Sequence, residues 1–191
     1  QERQIPPFAP QTFKSWFKRR PLRNADQPEV ILWADTFNNY FFPETAQAAV
    51  EVLEKAGFRV RVPMQHLCCG RPLYDYGFLV LAKKYLGNVL HALRPQIESG
   101  TPMVALEPSC CSVFRDELHG LMPNSEPAHR LAENTFLLSE FLEKKVPGFQ
   151  PAPWKRKAIV QGHCHHKAII RLDSEESVLK KLGLEFEVLN S

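Results

Sequence analysis

Val52-Leu53-Glu54-Lys55-Ala56-Gly57-Phe58-Arg59-Val60-Arg61-Val62 lines up without gaps against Val178-Leu179-Lys180-Lys181-Leu182-Gly183-Leu184-Glu185-Phe186-Glu187-Val188. In both stretches a helix end runs into a glycine and then into an alternating strand. The glycine suits the left-handed cap that closes a helix, and the alternation is the mark of a half-buried strand. Any one helix-glycine-strand junction has this look, but its recurrence within a single chain points to an internal repeat. Extended backwards, the repeat sets Ile159-Val160-Gln161-Gly162-His163-Cys164 over Ile31-Leu32-Trp33-Ala34-Asp35-Thr36, so that Cys164 falls on Thr36.

Working outward, Val30 to Ala34 reads as a strand, Glu44 to Lys55 as a helix and Phe58 to Val62 as a second strand, which together make a βαβ unit. A helix from Gly77 to about Leu93 leads to a strand at Met103 to Leu106, and helices follow at Ser109 to Leu118 and Ala128 to Lys144. Pro147, Pro151 and Pro153 mark a linker. Beyond it come a strand at Ala158 to Gln161, a helix opening at Asp173 or Ser174, and a strand at Leu184 to Leu189. The pattern predicts an α/β fold of duplicated Rossmann-like βαβ halves with a mostly parallel sheet, the second half cut short. The expected divisions are a connector over 1–28, a first repeat over 29–146 and the beginning of a second over 147–191.

The 191 residues suffice for a self-standing core without covalent staples. Adjacent cysteines bridge each other only with strain, and no signal peptide is visible, so the five cysteines suit a reducing cytoplasm. The net charge of +3 is small, and nothing in it demands a nucleic-acid partner. No apolar run approaches the roughly 20 residues that span a bilayer, so any membrane attachment is expected to be peripheral. The one basic cluster, Lys14, Lys18, Arg19, Arg20 and Arg23, is interleaved with Phe13, Trp16 and Phe17. It reads as a linker helix docked by its aromatics, with contact to a membrane surface as the alternative.

The cysteines fall as Cys68-Cys69-Gly70, Cys110-Cys111 and Cys164, the last within Gly162-His163-Cys164-His165-His166-Lys167. The pairs lie at strand ends and the single one in a histidine-rich loop, which is where metal or redox chemistry is housed. Asp35, Asn38, Asn39 and Tyr40 follow the first strand at its carboxyl end, the side on which open α/β sheets keep their crevices, and are candidates to line a pocket beside the cysteines. Arg71 and Lys167 closely follow cysteine sites, where a cation lowers thiol pKa values or balances a negative group. Dinucleotide, Walker and Gly-x-Ser-x-Gly patterns are absent.

His66-Leu67-Cys68-Cys69-Gly70-Arg71-Pro72, Glu107-Pro108-Ser109-Cys110 and Gly162-His163-Cys164-His165 together resemble the duplicated cysteine-rich CCG domain. That domain occurs in heterodisulfide reductase, in the iron-sulfur subunit of glycolate oxidase and in lactate-utilisation proteins. Trp33-Ala34-Asp35-Thr36-Phe37-Asn38-Asn39-Tyr40 and Phe114-Arg115-Asp116-Glu117-Leu118 are most similar to one branch, the C-terminal part of FAD-linked, iron-sulfur D-2-hydroxy-acid dehydrogenases such as those acting on D-lactate. The resemblance implies an iron-sulfur cluster of 4Fe-4S type, with zinc as the alternative metal. Cys68, Cys69, Cys110 and Cys164 are the implied ligands, and Cys111, His163 and His165 are weaker candidates. Thr36 stands where the full motif has a cysteine, and Val113 stands where a Cys-x-x-Cys would close after Cys110.

It further implies that FAD binds elsewhere in a parent protein, with flavin and ferredoxin-like domains or subunits as partners and a quinone or membrane-bound acceptor for the electrons. The counterpart of Cys68-Cys69-Gly70 in the second half is expected just beyond Ser191. Two other functions fit the residues: a zinc-binding or metal-free interaction module, and a thiol-disulfide protein using Cys68-Cys69 or Cys110-Cys111.

Overall fold

A computed structural model describes residues 4–189. Two parallel sheets organise it. The larger has four strands in the order β2-β1-β3-β4, formed by β1 (Glu29–Trp33), β2 (Arg59–Arg61), β3 (Met103–Ala105) and β4 (Thr135–Leu137). The smaller pairs β5 (Lys157–Val160) with β6 (Glu185–Val188). The helices of the first half are α1 (Phe13–Lys18), α2 (Thr36–Tyr40), α3 (Pro43–Lys55), α4 (Arg71–Asp75), α5 (Leu79–Ala92) and α6 (Arg94–Glu98). They continue through α7 (Pro108–Ser112), α8 (Leu118–Leu121), α9 (Glu126–Glu133) and α10 (Leu138–Lys145), and α11 (Asp173–Lys181) serves the second half.

Alternation along β1 splits the core between the two faces of the larger sheet. Ile31 and Trp33 join Met103, Ala105, Leu86, Val89 and Phe114 on one side. Val30 and Leu32 join Leu53, Val60, Val104 and Phe141 on the other. Helices thus cover both faces, as parallel strands with crossover connections require. Phe13 of α1 is fully buried in the second cluster, with Trp16 and Phe17 packed against it. Of the basic residues beside them, Arg20 is tied to the body. Arg20 lies 4.7 Å over the Trp16 ring and donates through both terminal nitrogens to Glu54 at 3.0 and 2.8 Å. Of the two readings of that cluster, the docked helix is the one observed.

The duplication is visible in the register. Glu29 pairs with Arg59 in β1–β2, and Lys157 pairs with Glu185 in β5–β6, the same positions that the aligned sequences equate. Gly57 and Gly183 both carry left-handed backbones, at φ +90° and +72°, which an L side chain tolerates poorly. Thr36 opens α2, and its counterpart Cys164 opens the helical turn after β5.

One expectation fails. The helix read from Ala128 to Lys144 is two helices, α9 and α10, with the edge strand β4 between them. β4 has only three residues, all buried, too few to show a strand period. Flanking leucines and glutamates carry the helical pattern across it. The Thr135 hydroxyl donates to Leu131 O at 2.6 Å, stopping α9 as the strand begins.

A second local feature went unread. Val113–Glu117 and His166–Ile170 are single π-helical turns, in which the backbone N–H bonds five residues back instead of four. Leu118 N–H accordingly reaches Val113 O.

Candidate metal and redox site

β1, the loop after β2, and β3 deliver their carboxyl ends to one cleft of about 120 Å³, lined by Trp33, Asp35, Cys68, Cys69, Arg71, Glu107 and Cys110 among others. Its cysteines are set by three local devices. Gly70 takes a left-handed φ of +80°, which turns the chain sharply after Cys69, and the Arg71-Pro72 start of α4 follows with proline in the first turn, where its missing N–H costs nothing. Gly70 N–H also points to Cys68 Sγ at 3.4 Å. Glu107 caps α7, accepting from the Ser109 hydroxyl at 2.9 Å and from Ser109 N–H at 3.3 Å, and so fixes the turn that carries Cys110.

The outcome is a contact across 41 residues of chain: Cys69 Sγ and Cys110 Sγ lie 3.1 Å apart, both buried. Cys68 lines the same cleft and is only half-buried. The Cys68 thiol is pushed well above its ordinary pKa by its hydrogen bond with Cys69 and by burial, against the pull of Gly70 N–H. The Cys69 thiol is likewise raised, chiefly by its contact with Cys110 and by burial. Cys111 is one helical step round from Cys110 and faces the core, fully buried. Its thiol is pushed up to about 12 by burial, with Arg115 pulling down and Glu140 pushing up.

Arg71 is the charged anchor of the cleft. Its guanidinium donates to Ser112 Oγ at 2.8 Å and to Asp75 Oδ1 at 3.0 Å, and it pairs with the buried carboxylate of Glu117. Glu117 closes the first π turn, so the irregular helix after Cys111 is what presents it to Arg71. Glu117, Ser112, Glu107 and Trp33 are not among the site residues expected from sequence. Glu107 had a usable signal, an acidic residue directly before a proline that starts a helix. Asp35 caps α2, accepting from Asn38 N–H at 3.0 Å and from Asn38 Nδ2 at 2.7 Å. Its carboxyl is held above the usual range, mainly by burial and further by the Glu107 carboxylate, although the Asn38 bonds pull it down.

Of the other residues picked out by sequence, Asn38 and Asn39 are buried behind Asp35, and Asn39 Oδ1 accepts from Lys14 N–H at 3.0 Å. Tyr40 O accepts from Ala9 N–H at 2.8 Å. These three are not among the residues lining the cleft. Cys164 is exposed and outside it as well. The rings of His163 and His165 stack 5.2 Å apart beside Cys164. His166 is buried, and desolvation lowers its pKa despite Glu175 and Glu140 nearby. Lys167 Nζ donates to Leu189 O at 3.0 Å.

The donor set suits a soft metal or cluster, since thiolates select iron-sulfur groups and zinc. A buried cation with an unsatisfied Nε beside them suits an anionic occupant. As they stand, the thiols are not spread for one: among the described residues no group of three or more Cys, His, Asp or Glu side chains is set to hold a metal ion. Two thiolates on a tetrahedral zinc, with Zn–S near 2.3 Å, sit about 3.8 Å apart, so Cys69 and Cys110 must separate to share a metal.

An α/β body whose strand ends gather a Cys-Cys-Gly turn and a second cysteine pair has the make-up of a cysteine-rich domain. Residues 35–115 match the family model CCG, described as a cysteine-rich domain. Among curated proteins it is similar to Lactate utilization protein A of Bacillus velezensis, 29% identical over 168 residues, which is 84% of this chain and 68% of that protein. Lactate utilization protein A of Bacillus subtilis is 27% identical with the same coverage. The protein of that name from Geobacillus kaustophilus is 30% identical over 60% of this chain and 47% of its own length.

Proposed function

We propose that this chain is an iron-sulfur electron-transfer module of an FAD-dependent D-2-hydroxy-acid oxidoreductase, D-lactate being the model substrate, and that it passes electrons from flavin towards an acceptor such as a quinone. The observation that carries this reading is the convergence of Cys68, Cys69 and Cys110 with Arg71 in one cleft. The lactate-utilisation names of its relatives support the substrate class.

Cys68, Cys69 and Cys110 hold the cluster, proposed as 4Fe-4S, with Cys111, Cys164, His163 and His165 in reserve for positions that these three leave open. A cluster supplies one-electron transfer when bound. Arg71, locked by Glu117, Asp75 and Ser112, offsets the negative charge of the thiolates, and the apolar cleft wall of Trp33, Phe37, Leu67 and Pro72 limits water. Asp35 lines the site and fixes its floor through α2.

Residues 29–146 form the first repeat and 147–191 the start of a second, with 1–28 the connector from a ferredoxin-like or flavin portion. Hydroxy-acid oxidation belongs to the flavin portion, and this module does not turn over substrate alone. After α4, Tyr76, Phe78, Leu79, Val80 and Leu81 form an exposed apolar run in the chain. Contiguous apolar surface of this kind fits a covering partner domain. No helix among the described residues is long and apolar enough to cross a membrane. The module works in the cytoplasm, at the membrane surface where its acceptor is membrane-bound.

Anaerobic purification followed by iron and sulfide analysis and electron paramagnetic resonance tests the reading. Stoichiometric iron and sulfide with a cluster signal supports it. A colourless protein holding only zinc, unfolded by chelation, overturns it in favour of a structural zinc module.

A further inference from the structure

We infer that Cys69 and Cys110 form a reversible disulfide when no metal occupies the cleft, making this pair an oxidation site that excludes metal binding. The geometry singles out this pair over the vicinal ones. Its sulfur atoms lie 3.1 Å apart, between the separation of about 3.8 Å that a shared tetrahedral zinc imposes and the bonded length of about 2.05 Å. A bridge within Cys68-Cys69 or Cys110-Cys111 strains the peptide that joins its halves. Cys110 and Cys111 also face different surroundings, one the cleft and the other the core.

The cleft is open to a small oxidant such as hydrogen peroxide, and its volume of about 120 Å³ admits one. One thiol takes an oxygen atom from the peroxide, releasing water. The second thiol displaces that oxygen as another water, so two thiols and one peroxide give one disulfide and two waters. The closed bridge fastens the Gly70 turn to α7 and occupies two of the three cleft sulfurs. The protein then has two exclusive states, one able to load metal and one in which two of the cleft sulfurs are bonded to each other.

The test uses metal-stripped full chain treated with a small molar excess of hydrogen peroxide, then alkylated, digested without reductant and analysed by mass spectrometry. The expected product has lost two hydrogens and joins the Cys69 peptide to the Cys110 peptide, while Cys68, Cys111 and Cys164 remain alkylated. Dithiothreitol reverses the link and restores metal uptake. The Cys68→Ser variant still forms the bridge. A dominant Cys68-Cys69 or Cys110-Cys111 link, sulfinic acid at Cys69 or Cys110 without a bridge, or loss of bridging in Cys68→Ser overturns the inference. The readout is a covalent link in metal-free protein, so it stands or falls separately from the iron and sulfide analysis.

Discussion

The two βαβ units share register, glycine cap and strand-end turn, yet among the described residues only the first gathers several cysteines in one cleft. At the end of β1, Asp35 and Thr36 face a cleft that two other segments complete with three cysteines. At the equivalent end of β5, Cys164 has the thiol that Thr36 lacks but is exposed, and no other cysteine lies in its half. The larger sheet buries both faces, whereas β5 and β6 alternate between exposed and half-buried positions. A sulfur atom is chemically useful here only where the topology brings others to it.

The sharpest way to probe this contrast is through the core. Phe114 is fully buried against Trp33, with ring centroids 4.9 Å apart beneath the cleft. Phe114→Ala is expected to cost about 3–5 kcal/mol, while Ile159→Ala, at an exposed position on β5, stays within about 0.5 kcal/mol. Denaturant titration of both variants measures the difference, and equal losses would erase the distinction between the halves.

The thiols come next. Cys69→Ser is expected to lower bound iron by at least about tenfold, since loss of a supporting residue alone costs a metal site that much. Cys164→Ser is expected to leave iron content unchanged. Metal analysis of matched preparations decides, and a large loss in Cys164→Ser would mean that the second half contributes a ligand after all.

A smaller effect separates the regions by pH. Glu140 is buried in the first half, and although burial alone would raise its pKa, the Leu137 N–H, Arg115 and Lys144 hold it below the usual carboxylate range. A folded pKa below the unfolded one gives stability that is complete above the unfolded value of about 4.3 and is lost as pH falls through the folded value. Glu140→Gln should therefore destabilise by about 1 kcal/mol at neutral pH, allowing for solvent screening. The gap should narrow in thermal melts as the pH falls below about 4.3.

The smallest expected change transfers the missing sulfur. Thr36→Cys places a thiol at the cleft position that Cys164 occupies in the repeat, and iron retention during chelator challenge should improve by about threefold, a gain of less than 1 kcal/mol. No improvement would show that the first site is already complete with its own three cysteines.

Much of the architecture could be read from the chain because it rests on local signals. Gly57 and Gly183 announce helix ends by their need for a positive φ, and the alternation of Arg59-Val60-Arg61 announces a strand. β4 escaped because three buried residues carry no period and their neighbours favour helix. In the site, Cys68, Cys69, Cys110 and Arg71 were legible from the motif and its following cation. The separate fates of Cys110 and Cys111 were not, since adjacent helical residues point about 100° apart and only the packed neighbours decide which one faces the cleft. Asn38 and Asn39 resembled pocket residues by position, but their side chains are spent on Asp35 and on the Lys14 backbone. Glu117 was hidden because its partner is 46 residues away.

The π turn at Val113–Glu117 makes the spacing of this segment as consequential as its composition. Removing any one of Val113, Phe114, Arg115 or Asp116 would let an ordinary α-helix run through, swinging the Glu117 carboxylate about 100° around the axis and leaving the Arg71 guanidinium without its buried counter-ion. Every cysteine would still be present, so a sequence reader counting thiols would see nothing amiss in a molecule whose cleft had lost its electrostatic brace.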